Sequence, residues 1–130
     1  MSDRIEIEQR EGVAIIALNR PEVHNAMDDE LREELVKVID WAGLDDKVEA
    51  IVLTGRGRSF CAGGDIGAMK ERLEAPTGQV AINGWQRQRR THGTITQIHS
   101  LTKPTVAAVN GAAAGLGCDM ALCCDFIVAS

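Results

Sequence analysis

Tyrosine is absent from this chain, and only two tryptophans and two phenylalanines occur among its 130 residues. The core must therefore be assembled from Val, Ile, Leu and Ala, small side chains that favour close approach of one element to another. At 45% apolar residues there are enough of them for one domain with a modest core. Excess positive charge is missing as well: the net charge is -5, which gives no general attraction to nucleic acid or to an anionic membrane. No long hydrophobic run occurs, since the longest apolar stretch, Thr105 to Leu116, is broken by Asn110 and two glycines and is too short to span a bilayer. "MSDRIEIEQ" at the N-terminus carries no apolar signal segment, so a cytoplasmic protein is expected. The four cysteines, Cys61, Cys118, Cys123 and Cys124, form no paired C-x-x-C pattern, and adjacent cysteines rarely bridge. Reduced, mostly buried thiols are expected. His24, His92 and His99 have no acid or thiol completing a ligand set, so no metal is expected and surface or packing roles are assigned to all three.

What is present is a repeated change of period. "RIEIEQ" alternates apolar and polar residues, and "VAIIALN" is nearly continuous in apolar residues, so the two predict a hairpin turning at Glu11 and Gly12. From Asp28 the period becomes helical: Leu31, Leu35, Val38, Ile39 and Ala42 share one face, acids crowd the first turn, and Gly43 is expected to follow the helix end. The unit then recurs. "AIVLTG" predicts a buried strand, "RGRSFCAGG" a loop, and "DIGAMKERLE" a helix opened by Asp65, a residue type that caps helix N-termini well. A longer, weakly amphipathic helix is predicted across Val80 to Leu101, interrupted by Gly84 and Gly93. "KPTVAAVNG" starts a third strand, "GAAAG" is a loop, "LGCDMALCC" a helix, and "DFIVAS" a further strand. Strands alternating with helices imply an α/β fold with parallel pairing. The sequence stops at Ser130 on a strand, which leads to the expectation of a fragment and of a sheet flank without its cover.

Two strand-to-helix turns are rich in glycine, Ala62 to Asp65 and Gly111 to Gly117. The first N–H groups of a helix have no internal acceptor, so each turn offers donors to a developing negative charge. The same glycines also serve if Gly63 and Gly64 only permit positive φ and Gly115 and Gly117 only let helix and sheet approach. Other glycine motifs do not fit. The second turn runs G-x-x-x-G-x-G, the wrong order for a dinucleotide fingerprint; "GRGRSF" lacks the Lys-Ser/Thr of a P-loop; and no G-x-S-x-G elbow is present.

Taken together and in this order, "LNRPEVHNAM", "SFCAGGDI" and "KPTVAAVNGAAAGLGCDMALCCDFIVAS" resemble the enoyl-CoA hydratase/isomerase, or crotonase, family from about Val13 to Ser130. The resemblance implies a crotonase-like spiral of repeated ββα units, with residues 1–130 as the N-terminal part of a single acyl-CoA-binding domain and the C-terminal helical part absent. It implies an acyl-CoA lyase or isomerase, of enoyl-CoA hydratase type first, that holds a thioester enolate on the backbone N–H groups of Gly64 and Leu116. Dienoyl-CoA or enoyl-CoA isomerase chemistry, another crotonase reaction, and a non-catalytic crotonase-like binding module are the alternatives. By the same match, Ala62, Gly64, Asp65 and Ile66 would meet the adenine of CoA, and the segment containing Arg20, His24 and Ala26 would flank that pocket. Glu22 and Gly67 stand where the family often has lysine, which leaves Arg20, Arg56 or Arg58 to meet phosphate.

Asp119 matches the family's first catalytic acid, which is Glu in standard hydratases; it lies three residues beyond Leu116, on the same helical face. Asp is one methylene shorter, a displacement of about 1.5 Å on a scale where 1 Å costs about 100-fold, and the same acid would serve at the helix N-terminus for its charge alone. The family's second acid lies beyond residue 130. No cofactor is implied, since CoA is part of the substrate, and the missing half would bring helices through which such proteins form trimers or hexamers. "RQRR", Arg87 to Arg90, is expected to be a solvated helix face, with CoA phosphates or RNA as its alternative partners.

Overall fold

In the computed structural model, residues 3–130 are described. Their elements follow in the order β1 (Ile5–Arg10), β2 (Val13–Leu18), α1 (Asp29–Leu44), β3 (Ala50–Gly55), β4 (Ser59–Cys61), α2 (Ile66–Leu73), α3 (Thr77–His99), β5 (Thr105–Val109), β6 (Ala112–Ala113), α4 (Leu116–Leu122) and β7 (Phe126–Ala129). The alternating segment and the apolar run pair as the expected antiparallel hairpin, from Ile5 opposite Leu18 to Arg10 opposite Val13. Glu11 and Gly12 turn it with φ of 49° and 82°, conformations that favour glycine. β3, β5 and β7 then add in parallel to give the order β1-β2-β3-β5-β7, each parallel step crossing over through at least one helix.

α1 begins where its sequence says it should. The Asp28 carboxylate accepts the Leu31 N–H at 2.8 Å, and Leu31, Leu35, Val38, Ile39 and Ala42 are all buried. That face meets the sheet in a core in which Ile16, Leu18, Leu35, Leu53, Phe60 and Met120 close around a void of only 10 Å³, the density expected of small interlocking side chains. Phe60, the first aromatic of the quoted turn, is wholly buried there.

Three expected boundaries differ. α1 continues through Gly43 to Leu44 and is closed by the Asp45 N–H on Trp41 O; a β-carbon at Gly43 would lie 3.0 Å from Leu101 Cδ2, so this glycine makes room for a neighbouring side chain. α3 starts at Thr77 and runs unbroken through Gly84 and Gly93, which have open space beside them. The two segments expected to be loops contain β4 and β6, which pair in parallel as a second, two-stranded sheet, Ser59 with Ala112 and Cys61 with Ala113. β7, at one edge of the large sheet, exposes Phe126, Ile127 and Val128, as expected of an uncovered flank. No helix among the described residues is long and apolar enough to cross a membrane. The cysteines are free thiols, with Cys61 and Cys124 buried and Cys118 and Cys123 partly so.

α2 is opened by Asp65, whose carboxylate accepts the Ala68 N–H at 3.1 Å. That bond first, and the Arg20 guanidinium after it, hold the Asp65 carboxyl below the ordinary carboxylate value despite some burial. A depressed value stabilises the fold above the unfolded pKa, and the contribution disappears as pH falls through the lower, folded one. Asp65→Ala should therefore cost about 0.5–2 kcal/mol at pH 7, with the penalty shrinking below about pH 4; urea unfolding of both proteins at the two pH values measures it.

The glycines separate in the same assay. A β-carbon at Gly117 would strike the Cys61 carbonyl, with Cys61 C and Cβ both at 2.8 Å, so Gly117→Ala should cost about 1–3 kcal/mol by overpacking. Gly84→Ala, in open space within a helix, should gain about 0.5–1 kcal/mol.

Candidate active site

The turn "SFCAGGDI" begins as β4 inside the core and leaves it at Ala62. Its N–H groups are used almost in full: Ala62 donates to His24 O at 3.0 Å, Asp65 donates to Met27 O at 3.0 Å, and the Gly63 N–H points at the Cys61 thiol. Gly63 takes φ 96°, and its carbonyl accepts the Met27 N–H at 2.7 Å. Between Ala62 and Asp65 that leaves Gly64, which is half-buried and whose N–H has no acceptor among the described residues. The Ile66 N–H that opens α2 likewise has no acceptor among the described residues. Cys61 is fully buried, and burial pushes its thiol up, so it fills space and orients the turn as a neutral group.

The second turn leaves β6 and enters α4 through Gly115, at φ 52° and ψ -123°. The two turns touch through their backbones. Ala114 N–H donates to Cys61 O at 3.0 Å, and a β-carbon at Gly63 would lie 2.8 Å from Ala114 O and 3.7 Å from Leu116 N. Leu116, the first residue of α4, also has no recorded acceptor for its N–H among the described residues, as the first position of a helix requires. Two unengaged backbone donors, one just before the α2 cap and one at the first residue of α4, thus lie in turns that touch at Gly63 and Gly115.

Asp119 follows one turn along α4 and is exposed. It lines an open groove of about 560 Å³ together with His92, Ile95, Thr96 and His99 of α3 and Leu122 and Cys123. The two histidines assigned to surface or packing roles therefore share a groove with the acid.

The remaining sequence-predicted residues divide into struts and rim. Arg20 is a strut: its Nη1 donates to Ala26 O at 2.6 Å and lies 3.2 Å from both Asp28 and Asp65 Oδ2, so it ties two helix caps together and its charge is already engaged. His24 has φ 54° and places Nδ1 2.9 Å from Ser59 Oγ. Ala26 is held through its carbonyl by Arg20, whereas Ala62, Ile66 and Gly67 are exposed around the Gly64 turn. Arg56 is paired with Glu6 at 2.6 Å, and Arg58 is exposed.

Sequence reading missed three residues. Asn25, wholly buried, accepts the Arg20 N–H at 2.8 Å and donates to Arg56 O and Ser59 O, each at 2.9 Å. Asn110 accepts the Gly55 N–H at 3.2 Å and donates to Gly57 O at 3.0 Å. The two amides pin the β3–β4 loop from opposite sides, and their only signal was an asparagine inside each of two quoted motifs. Arg87, read as part of a solvated face, is half-buried instead: a β-carbon at Gly64 would stand 2.6 Å from its Nη2 and in contact with Met69 Cε. Its neighbours Arg89 and Arg90 are exposed, Arg89 stacking on Trp85 at 5.0 Å.

Comparison with known proteins fits this geometry. The family model for enoyl-CoA hydratase/isomerase matches residues 8–130. A 1,2-epoxyphenylacetyl-CoA isomerase of Escherichia coli K12 is 37% identical over 119 residues, covering 92% of this chain and 44% of the relative. A 2,3-dehydroadipyl-CoA hydratase of the same organism is 35% identical over 130 residues, covering 99% and 47%. A solved structure from Pseudomonas aeruginosa superposes with a TM-score of 0.90 at 40% identity, over 100% of this chain and 55% of that one. The chain spans about half the length of the curated relatives it matches. By fold, by paired glycine turns and by sequence, it belongs to the enoyl-CoA hydratase/isomerase family.

Proposed function

We propose that the protein carrying this chain is an acyl-CoA enzyme of hydratase or isomerase type, in which the thioester oxygen sits between the N–H groups of Gly64 and Leu116. The observation that carries the reading is the pair of unengaged backbone donors in abutting turns, Gly64 before the α2 cap and Leu116 at the start of α4, with Asp119 three residues beyond Leu116. Charge that develops on a thioester oxygen during enolate formation is stabilised by donors already in place; each such donor is worth about 2.7–4 kcal/mol in the transition state. The Asp119 carboxylate then moves a proton. In hydration it takes one from the water whose hydroxyl adds at the β-carbon, and the enolate is protonated at the α-carbon to complete the addition; in isomerisation a proton lost at one carbon is returned at another, with no net change of atoms. The exposed groove containing His92, His99 and Asp119 leaves that carboxylate open to a ligand.

The CoA part would lie along Ala62, Asp65, Ile66 and Gly67 and the Arg20–Ala26 segment, of which Ala62, Ile66 and Gly67 are open to a ligand. Because Arg20 is committed to Asp28 and Asp65, its part there is to hold the loop. No further cofactor enters this reading, since CoA arrives with the substrate. Residues 1–130 act as the N-terminal part of one acyl-CoA-binding domain in a cytoplasmic homo-trimer or hexamer.

In the full-length protein, Asp119→Asn should lower kcat on an enoyl-CoA by about 10²–10⁴-fold while acetoacetyl-CoA binding persists, as measured by loss of enoyl absorbance and by native mass spectrometry. An unchanged rate would remove Asp119 from the chemistry. Failure of the unsubstituted protein to bind acetoacetyl-CoA at millimolar concentration would leave a non-catalytic module as the better reading.

A further inference from the structure

Three guanidinium groups converge beside the Gly64 turn with one carboxylate between them. Arg32 of α1 is 5% exposed, its Nη1 is 2.8 Å from Asp29 Oδ1, and its buried Nη2 has no hydrogen-bond partner among the described residues. Arg72 of α2 reaches the same Asp29 oxygen at 3.7 Å. Arg87 of α3 is half-buried with Nη2 at Gly64. Burial, and then the positive charge of Arg72, lower its pKa; Arg32 adds to the effect and Asp29 opposes it. Asp29 is the carboxylate paired with Arg32 and Arg72, and among the described residues none is paired with Arg87. A buried guanidinium nitrogen without an acceptor is unfavourable, and the group that would satisfy this cluster is an anion.

The place of the cluster says which anion. Arg87 stands against the residue whose N–H, on the proposed reading, holds the thioester oxygen. The phosphates of CoA are separated from that oxygen by the whole pantetheine arm, whereas a few carbons of acyl chain bring a terminal group from the thioester to Arg87. Resting on the acyl-CoA reading above, we propose that Arg87, backed by Arg32 and Arg72, forms a carboxylate subsite, so that the preferred substrates are dicarboxylyl-CoA thioesters. Arginine suits this role because its planar fork donates two parallel hydrogen bonds to a carboxylate. A methyl-terminated chain would leave the cluster unsatisfied and would be rejected on that ground. Met69, against the same face of Gly64, supplies apolar contact for the intervening methylenes.

The test compares two trans-2-enoyl-CoA substrates of equal chain length, one ending in a carboxylate and one in a methyl group, on the full-length protein and on its Arg87→Met and Arg87→Lys variants. Because both substrates are assayed on one preparation, the ratio of their kcat/KM values does not depend on the folded fraction. The unsubstituted protein should favour the carboxylate-bearing substrate by at least ~10-fold, Arg87→Met should abolish that ratio, and Arg87→Lys should restore part of it. An equal loss on both substrates in Arg87→Met would assign the cation to a CoA phosphate and overturn the carboxylate subsite. Equal use of the two substrates by the unsubstituted protein would overturn it as well. Absence of any acyl-CoA binding would instead overturn the acyl-CoA reading, and the subsite with it.

Discussion

The turn Cys61–Gly64 and the turn Ala113–Gly117 meet backbone to backbone, and the geometry of the candidate site depends on that contact. Ala114 donates to the Cys61 carbonyl at 3.0 Å, β4 pairs with β6, and Gly117 faces the Cys61 carbonyl where a β-carbon would clash. Glycine is required here for space as much as for conformation: Gly117 lies within a helix, whereas Gly63 needs both its φ of 96° and its clearance from Ala114 O. Close approach sets the residue before the α2 cap beside the first residue of α4, so that two backbone donors without an acceptor among the described residues come to the same edge.

A network of polar side chains keeps this contact rigid. Asn25 and Asn110 hold the β3–β4 loop through backbone atoms on both sides, and Arg20 links the caps of α1 and α2 through Asp28 and Asp65. Each such bond contributes about 0.5–1.5 kcal/mol net, and a buried amide left unpaired would cost more. Together they carry the position of α1, which the hydrophobic core fixes, across to the exposed Gly64 turn. The apolar core and the polar latch therefore determine one geometry, which preorganised donors require.

The hairpin, the four helices and the three parallel strands of the large sheet were legible because each carries its own period or cap: alternation in β1, a single apolar face in α1, and Asp28 and Asp65 at helix starts. β4 and β6 were not. Strands of three and two residues have no period to read, and they exist because the fold brings them together. Gly43 misled because a glycine that clears Leu101 looks the same in sequence as one that ends a helix. The site was legible as a pair of motifs, with Gly64, Leu116 and Asp119 in their turns and helix. Its supports were hidden: the amide of Asn25 acts on residues 31 and 34 positions away, and Arg87 differs from Arg89 and Arg90 only in the direction in which α3 turns it.

On the proposed reading, Gly64 and Leu116 donate jointly to one thioester oxygen. The direct measurement is the pair of backbone amide resonances of these two residues in the full-length protein as acetoacetyl-CoA is added. Joint downfield movement of both, larger than that of neighbouring amides such as Ala62 and Asp65 whose donors are already engaged, is the predicted result. Saturable binding that leaves both resonances in place would contradict it.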